Sequence, residues 1–283
     1  MRACYHIVLA KFAQWFCINL LGCPHSGATV LQNLVVDIAR KIYGIYAVLV
    51  FAVLSLIALV CVMALPAQRH AYGAAQLLAR LIFVFWGMRP SVRGLEHLPR
   101  NDAYVLAANH ASYIDGVLLL AYLPRPHSFA IKVEIAAFAP LRFFLTRIGM
   151  RFVDRFDAHK NVTQTRRLIE LLQRGTRLVF FPEGTFQREP GLLPFRLGAF
   201  RVASIAQVPV IPLVIRGSRQ VLPSESWLPR PGKLEIVVTP ALHPAGSDGV
   251  AAETLKQTVR LAMLKELNEP DMKIPFDQFR TGS

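Results

Sequence analysis

Hydrophobic and polar positions divide the chain into three textures. Residues 45–65 are 21 successive positions without a charge, with only Tyr46 and Ser55 carrying hydroxyls. At about 1.5 Å per residue such a run spans roughly 30 Å, the depth of a bilayer core, and predicts a transmembrane helix. A core helix of a globular domain would keep a polar stripe, which this run lacks. A second apolar run follows at residues 71–86, with Gln76 and Arg80 in its middle and Phe83, Phe85 and Trp86 at its end. Its aromatic terminus suits headgroup depth, so it is expected to lie in the interface or to return partway. Packing against a soluble domain is the alternative.

From about residue 91 the texture changes to short apolar runs alternating with amphipathic segments, the rhythm of an α/β domain with a mixed, largely parallel sheet flanked by helices. Predicted strands cover residues 104–108, 128–132, 151–153, 177–181, 209–215 and 234–239. Predicted helices cover 159–174, with Leu168, Leu171 and Leu172 on one face and Gly175 at the stop, then 197–206 and 251–268. Pro223, Pro229 and Pro231 mark a loop. The chain therefore divides into a poorly defined leader (1–43), a transmembrane and interfacial helical anchor (44–90), a catalytic domain (91–270) and a C-terminal tail (271–283), with no internal repeat.

The leader mixes apolar patches with Cys4, Cys17 and Cys23 and lacks a clean signal-peptide cleavage site. A translation start lying further downstream would account for it. All four cysteines fall at or before Cys61, so the predicted domain needs no disulfide, and their spacing matches no metal site. The net charge is +14, with +6 in residues 1–90 and +8 beyond, so both parts are basic. Beside a membrane such a surface attracts anionic lipid headgroups. Nucleic acid, the competing partner, is not expected, because zinc-finger spacing, RNA-binding aromatic motifs and long basic runs are absent. Arg40 and Lys41 before the span and Arg69 after it nearly cancel the positive-inside bias. A returning second helix would leave both flanks on the cytoplasmic side.

Two motifs carry candidate chemistry. Asn109-His110-Ala111-Ser112-Tyr113-Ile114-Asp115 follows the strand at 104–108, and Phe181-Pro182-Glu183-Gly184-Thr185 follows the strand at 177–181. Strand ends are where α/β sheets present ligand sites. On an ideal helix five residues rotate the chain by about 500°, which would separate His110 from Asp115. If the segment turns first and the helix starts near Tyr113, the carboxylate reaches back to one ring nitrogen, fixes the tautomer and leaves the other nitrogen free to take a proton. That is the base–carboxylate pair of a serine-protease triad without a protein nucleophile, so the attacking hydroxyl comes from a substrate. Ser112 is nearby, but nothing marks it as acylated. A histidine that merely caps the following helix is the bland alternative. In the second motif Pro182 ends strand pairing, Glu183 offers a carboxylate, Gly184 permits close approach to backbone and Thr185 adds a hydroxyl; a simple turn is the alternative.

With both motifs in place, residues 90–240 resemble the membrane-bound glycerolipid acyltransferases with a His-x4-Asp motif, which include the 1-acyl-sn-glycerol-3-phosphate acyltransferases. His110 and Asp115 match the first block, Lys132 and the run ending Phe152-Val153-Asp154-Arg155 the second, Phe181 to Thr185 the third, and Val208-Pro209-Val210-Ile211-Pro212 the fourth. The resemblance implies acyl transfer from an acyl-CoA or acyl-carrier-protein thioester to the hydroxyl of a lysolipid, chiefly 1-acylglycerol-3-phosphate. His110 would be the base and Asp115 its holder. Glu183, Gly184 and Thr185 would meet the acceptor's glycerol part, Arg155 its phosphate, and Lys132 the phosphate or the developing oxyanion, while Pro212 would shape the pocket wall. It implies no cofactor and no metal, because a thioester is already activated, and it implies the inner, cytoplasmic membrane with the catalytic domain on the cytoplasmic side. One departure stands out. Many lysophosphatidic acid enzymes of the family carry Arg after Glu-Gly-Thr, where this chain has Phe186, with Arg188 and Arg196 the next cations. That admits another acceptor, such as a lyso-ornithine lipid. A membrane-anchored hydrolase would use the same pair on water, although no Gly-x-Ser-x-Gly elbow is present, and a noncatalytic lipid-binding protein would need neither His110 nor Asp115.

Overall fold

The long apolar run becomes the middle of helix α1 (His25–Ala64), whose 40 residues extend about 60 Å. The computed structural model describes residues 25–124, 126–153 and 158–272. Among them α1 is the one helix long and apolar enough to cross a membrane, from Gln32–Ala64, with 22% of its most apolar window buried. It starts well before residue 44, so residues 25–43 of the expected leader belong to it.

Helix α2 (Gln68–Phe85) turns back along α1. Ala47, Leu54 and Val62 of α1 share one apolar cluster with Ala71, Tyr72, Ala75, Ala79, Ile82 and Phe83 of α2. Tyr43 donates its hydroxyl to the Trp86 carbonyl (2.8 Å), and the Trp86 indole N–H donates to Ala47 (2.9 Å). The inner face of this second stretch is core, and its two polar residues have partners inside the domain. Gln76 donates to the carbonyls of Leu120 (3.1 Å) and Leu123 (2.7 Å), and Arg80 donates through Nε to Ala121 (2.5 Å). Those carbonyls close helix α3 (Asp115–Tyr122), whose last turn has no intrahelical donors of its own. A cation there also complements the helix dipole. The Leu77, Val84 and Phe85 side chains remain exposed on the outer face.

Seven strands follow: β1 (Ser91–Arg93), β2 (Val105–Ala108), β3 (Ser128–Lys132), β4 (Arg151–Val153), β5 (Leu178–Phe180), β6 (Val210–Arg216) and β7 (Glu235–Val238). They form one sheet in the order β1-β7-β6-β2-β5-β3-β4. β6, β2, β5, β3 and β4 run parallel, and β7 pairs antiparallel with β6, so the sheet is mixed and largely parallel. Strand β1 was not legible in advance, its three residues Ser91, Val92 and Arg93 being too few to show alternation. Helices α4 (Ala139–Arg147), α5 (Ala158–Gln173), α6 (Gly198–Ala206), α7 (Ser218–Val221) and α8 (Gly249–Glu266) complete the fold. The short α3, α4 and α7 lack the several turns over which a 3.6-residue stripe declares itself.

Alternation along β2 divides the core. Leu106 and Ala108 face the α1–α2–α3 side, and Val105 and Ala107 face Leu168 and Leu172 of α5, Phe200 of α6 and Val259 of α8. Helices thus cover both faces, and every β2 side chain is buried.

Replacing Gln76 by Leu should strip two carbonyls of their donor and cost about 1–3 kcal/mol. Thermal unfolding followed by near-ultraviolet circular dichroism checks this, with an unchanged midpoint counting against the capping role.

Candidate active site

Strands β2 and β5 lie side by side in parallel, with Ala107 opposite Phe180, so their carboxyl ends deliver the two motifs to one place although 73 residues separate His110 from Glu183. Asn109 fixes the end of β2 on its other side. Its amide nitrogen donates to the Ile215 carbonyl (3.0 Å) and its oxygen accepts from the Ile215 N–H (2.6 Å), so a buried side chain pairs with a whole peptide of β6.

The chain then turns before it coils. Residues 111–114 precede α3, whose first residue is Asp115. One oxygen of that carboxylate, Oδ2, accepts from the backbone N–H of Ala111 (2.7 Å), the N–H of Ser112 (2.8 Å) and Nδ1 of His110 (2.9 Å). The turn required by helical geometry is present, and the helix begins two residues later than Tyr113. Asp115 is wholly buried, and its Oδ1 has no hydrogen-bond partner among the described residues. Because an ionised carboxylate only accepts, Nδ1 of His110 must donate, which leaves Nε2 with the lone pair a general base needs. The His110 side chain keeps 21% of its surface exposed, so that edge is reachable. Ser112 is not available as a nucleophile: its buried hydroxyl donates to the Leu222 carbonyl at 2.7 Å.

Glu183 is 1% exposed and bridges two backbones: Oε1 accepts from His110 N–H (2.6 Å) and Oε2 from Leu193 N–H (2.8 Å). Each oxygen thus already meets an amide, which ties the His110 backbone to that of Leu193. Burial pushes its carboxyl up to about 8, opposed by those two amides. Gly184 adopts φ +76°, a conformation that suits glycine, and Thr185 stands exposed beside it.

The loop beyond is strapped from the C-terminus. Glu269 accepts from the Gly191 N–H (2.8 Å) and pairs with the nearly buried Arg219 (3.0 Å), whose guanidinium also donates to the Gln187 carbonyl. Arg260 holds the carbonyls of Leu192 and Leu193 and pairs with Asp271. Residues 271 and 272, expected to open a tail, instead join Leu192 through a bridge and the Met272 N–H.

Of the remaining predicted residues, Lys132 ends β3 on the same carboxyl edge of the sheet. Pro212 lies within β6 opposite Ala107, and its carbonyl accepts from Thr239. Arg196 donates its backbone N–H to Pro182 (2.8 Å). Arg155 lies outside the described residues. Arg188 is turned toward Glu225 (3.4 Å) at the surface. Sequence reasoning missed the aromatic setting of the base. Phe181 stacks on the His110 ring (centroids 4.4 Å, 27°), and Phe186 meets it at a steep angle (4.6 Å, 60°). The signal was there in two phenylalanines flanking the second motif, but only strand adjacency aims them at the imidazole.

Residues 89–216 match the family model described as Acyltransferase. The chain is 32% identical over 139 residues to the chloroplastic 1-acyl-sn-glycerol-3-phosphate acyltransferase BAT2 of Brassica napus, covering 49% of this chain and 40% of that protein. It is 32% identical over 193 residues to 1-acyl-sn-glycerol-3-phosphate acyltransferase alpha of Mus musculus, covering 65% of each. The chain thus spans about half the length of the first curated relatives it matches. Among solved structures, the 1-acyl-sn-glycerophosphate (LPA) acyltransferase PlsC from Thermotoga maritima aligns with a TM-score of 0.68 over 86% of this chain and 99% of that one, at 20% identity, a likeness of fold.

Two outcomes follow from the geometry. Ser112→Ala should lose about 1–3 kcal/mol of stability through the orphaned Leu222 carbonyl yet retain its chemistry; loss of turnover in a folded variant would restore Ser112 as a reacting group. For Glu183, a folded-state value of about 8 lies above the ordinary 4.5. Its proton is therefore held more tightly in the folded protein, and its contribution to stability is complete below pH 4.5 and lost as pH rises through 8. Unfolding midpoints measured across that window should fall with pH more steeply than in Glu183→Leu.

Proposed function

We propose that this chain, which belongs to the acyltransferase family, transfers an acyl group from an acyl-CoA or acyl-carrier-protein thioester to the free hydroxyl of a lysolipid, with 1-acylglycerol-3-phosphate as acceptor and phosphatidic acid as product. The observation that carries this reading is the buried Asp115 carboxylate bonded to Nδ1 of His110, which leaves Nε2 as the base while the neighbouring Ser112 hydroxyl is held by the Leu222 carbonyl. Two of the relatives above are 1-acyl-sn-glycerol-3-phosphate acyltransferases by name, which supports the choice of acceptor.

In the reaction Nε2 of His110 takes the proton of the acceptor hydroxyl as its oxygen bonds to the thioester carbonyl carbon. The tetrahedral intermediate collapses with rupture of the carbon–sulfur bond, and the thiolate leaves with the proton returned by the imidazolium. Asp115 holds the tautomer and stabilises the transient positive charge. Glu183 fixes the His110 backbone, and Gly184 and Thr185 border the acceptor's glycerol part. Lys132 and Arg155 supply positive charge for the acceptor phosphate or the developing oxyanion, where a guanidinium fork suits phosphate. No cofactor or metal takes part. Helix α1 holds the domain at the cytoplasmic side of the inner membrane, where its lipid substrates reside.

A second reading, transfer to a lysolipid without a phosphate monoester such as a lyso-ornithine lipid, is favoured by one observation: Phe186, rather than a cation, stands against His110.

Purified protein assayed with labelled acyl-CoA or acyl carrier protein against a panel of lysolipids tests both readings. His110→Ala should lower transfer roughly 10²- to 10⁴-fold with the fold intact; undiminished transfer would sink the mechanism. Arg155→Ala should raise KM for a phosphate-bearing acceptor more than it lowers kcat. Preference for an acceptor without phosphate would move the assignment to the second reading, and release of free acid without lysolipid consumption would indicate a hydrolase.

A further inference from the structure

Two large aromatic rings stand in solvent beside the base without any part in the proton transfer. Trp227 is 80% exposed and Tyr113 is 56% exposed. They stack nearly parallel (centroids 5.8 Å, 12°), Tyr113 meets Phe186 edge to face (4.7 Å, 86°), and Phe186 rests against His110 (4.6 Å). The other end of this series meets α1. Leu228, next to Trp227 in the proline-bearing loop, lies so close to Gly44 that a Cβ there would fall 2.7 Å from the Leu228 Cβ. The side of α1 turned away from Gly44 is apolar and exposed, with Ile42, Ile45 and Leu49 all more than half open. A series of ring contacts therefore leads from a loop seated on the helix suited to lipid to the His110 imidazole, with the Arg188–Glu225 pair nearby on the two loops that carry Phe186 and Trp227.

We propose that Trp227, Tyr113 and Phe186 form a track for the acyl tail of the lysolipid acceptor, holding it between α1 and His110 while its hydroxyl reaches Nε2. The occupant follows from the two ends of the series. A loop that served only to grip the bilayer would need exposed apolar rings, but not a series of them ending on the base. A polyethylene-like tail gains by covering aromatic faces that otherwise contact water, and its polar head would sit where the series meets the polar strand ends. Gly44 and Leu228 fix the track's starting point, because close packing at a glycine sets the loop against the helix. The proposal rests on the lysolipid reading of the site for turnover, whereas occupancy of the track is readable without turnover.

The test uses the full chain reconstituted in lipid nanodiscs. First, kcat/KM is measured against acceptors of increasing acyl length for wild type, Trp227→Ala, Tyr113→Ala and the conservative Trp227→Phe. In wild type it should rise with length by up to about fourfold per methylene. The slope should flatten in both alanine variants through KM, and Trp227→Phe should restore it. Second, tryptophan emission is recorded with a lysolipid brominated along its tail. Quenching should occur in wild type and diminish in Trp227→Phe. A length dependence identical in wild type and both folded alanine variants would overturn the track. So would equal quenching of Trp227 by brominated bilayer phospholipid without lysolipid, which would make the loop a membrane-docking element. Quenching by the brominated lysolipid alone, in a protein that transfers to no lysolipid, would support the track while removing the functional reading on which its catalytic use rests.

Discussion

Asp115 accepts three hydrogens on a single buried oxygen, and the shape of the segment before it follows from that need. A carboxylate removed from water is tolerated only when donors replace its hydration. Here the donors are two consecutive backbone amides and the Nδ1–H of His110. Meeting that demand forces residues 111–114 into a turn, starts α3 at Asp115, and orients the imidazole in the tautomer that leaves Nε2 basic. The same contacts that satisfy the buried carboxylate thus also orient the imidazole. Removing Asp115 would strip the two amides of the turn of their acceptor as well as the imidazole of its partner, whereas removing the His110 ring would leave those backbone contacts in place.

The rest of the domain holds this unit still. Asn109 fastens the end of β2 to β6, and Glu183 fastens the His110 backbone to the loop at Leu193. That loop is itself held by Arg219, Arg260 and residues near the end of the described chain. On the opposite face, Gln76 and Arg80 of α2 hold the C-terminal carbonyls of α3, the helix that Asp115 begins. Helix α2 is in turn packed along α1, so contacts run from that long apolar helix to the Asp115 carboxylate. Arg147 secures the far end of α1 by donating to the carbonyls of Leu65 and Pro66. The apolar anchor is therefore part of the domain's packing, and its polar interruptions are structural contacts.

Much of this was legible in the amino-acid order. The 21-residue uncharged run, the alternation of short apolar segments, and His110 with Asp115 beside Phe181 to Thr185 are local patterns, and local patterns report local physics. The requirement for a turn between His110 and Asp115 came from helical rotation alone. Short elements were not legible, because three residues of β1 or four of α7 cannot display a period. The partners of Gln76 and Arg80 were hidden for a related reason. In sequence the two residues only interrupt an apolar run, and their partners lie about 40 residues away.

The sequence by itself determined which groups are present and how neighbouring residues turn: the base, its carboxylate, the helix-length apolar run and the strand ends. Only the tertiary structure decided what those groups face. Placing β5 beside β2 set Glu183 between the backbone amides of His110 and Leu193. It also turned Phe186, in sequence a missing cation, into a wall against the imidazole. Such pairings depend on strand order, and strand order follows from which apolar faces bury best together over the whole chain, a property no local stretch of residues contains.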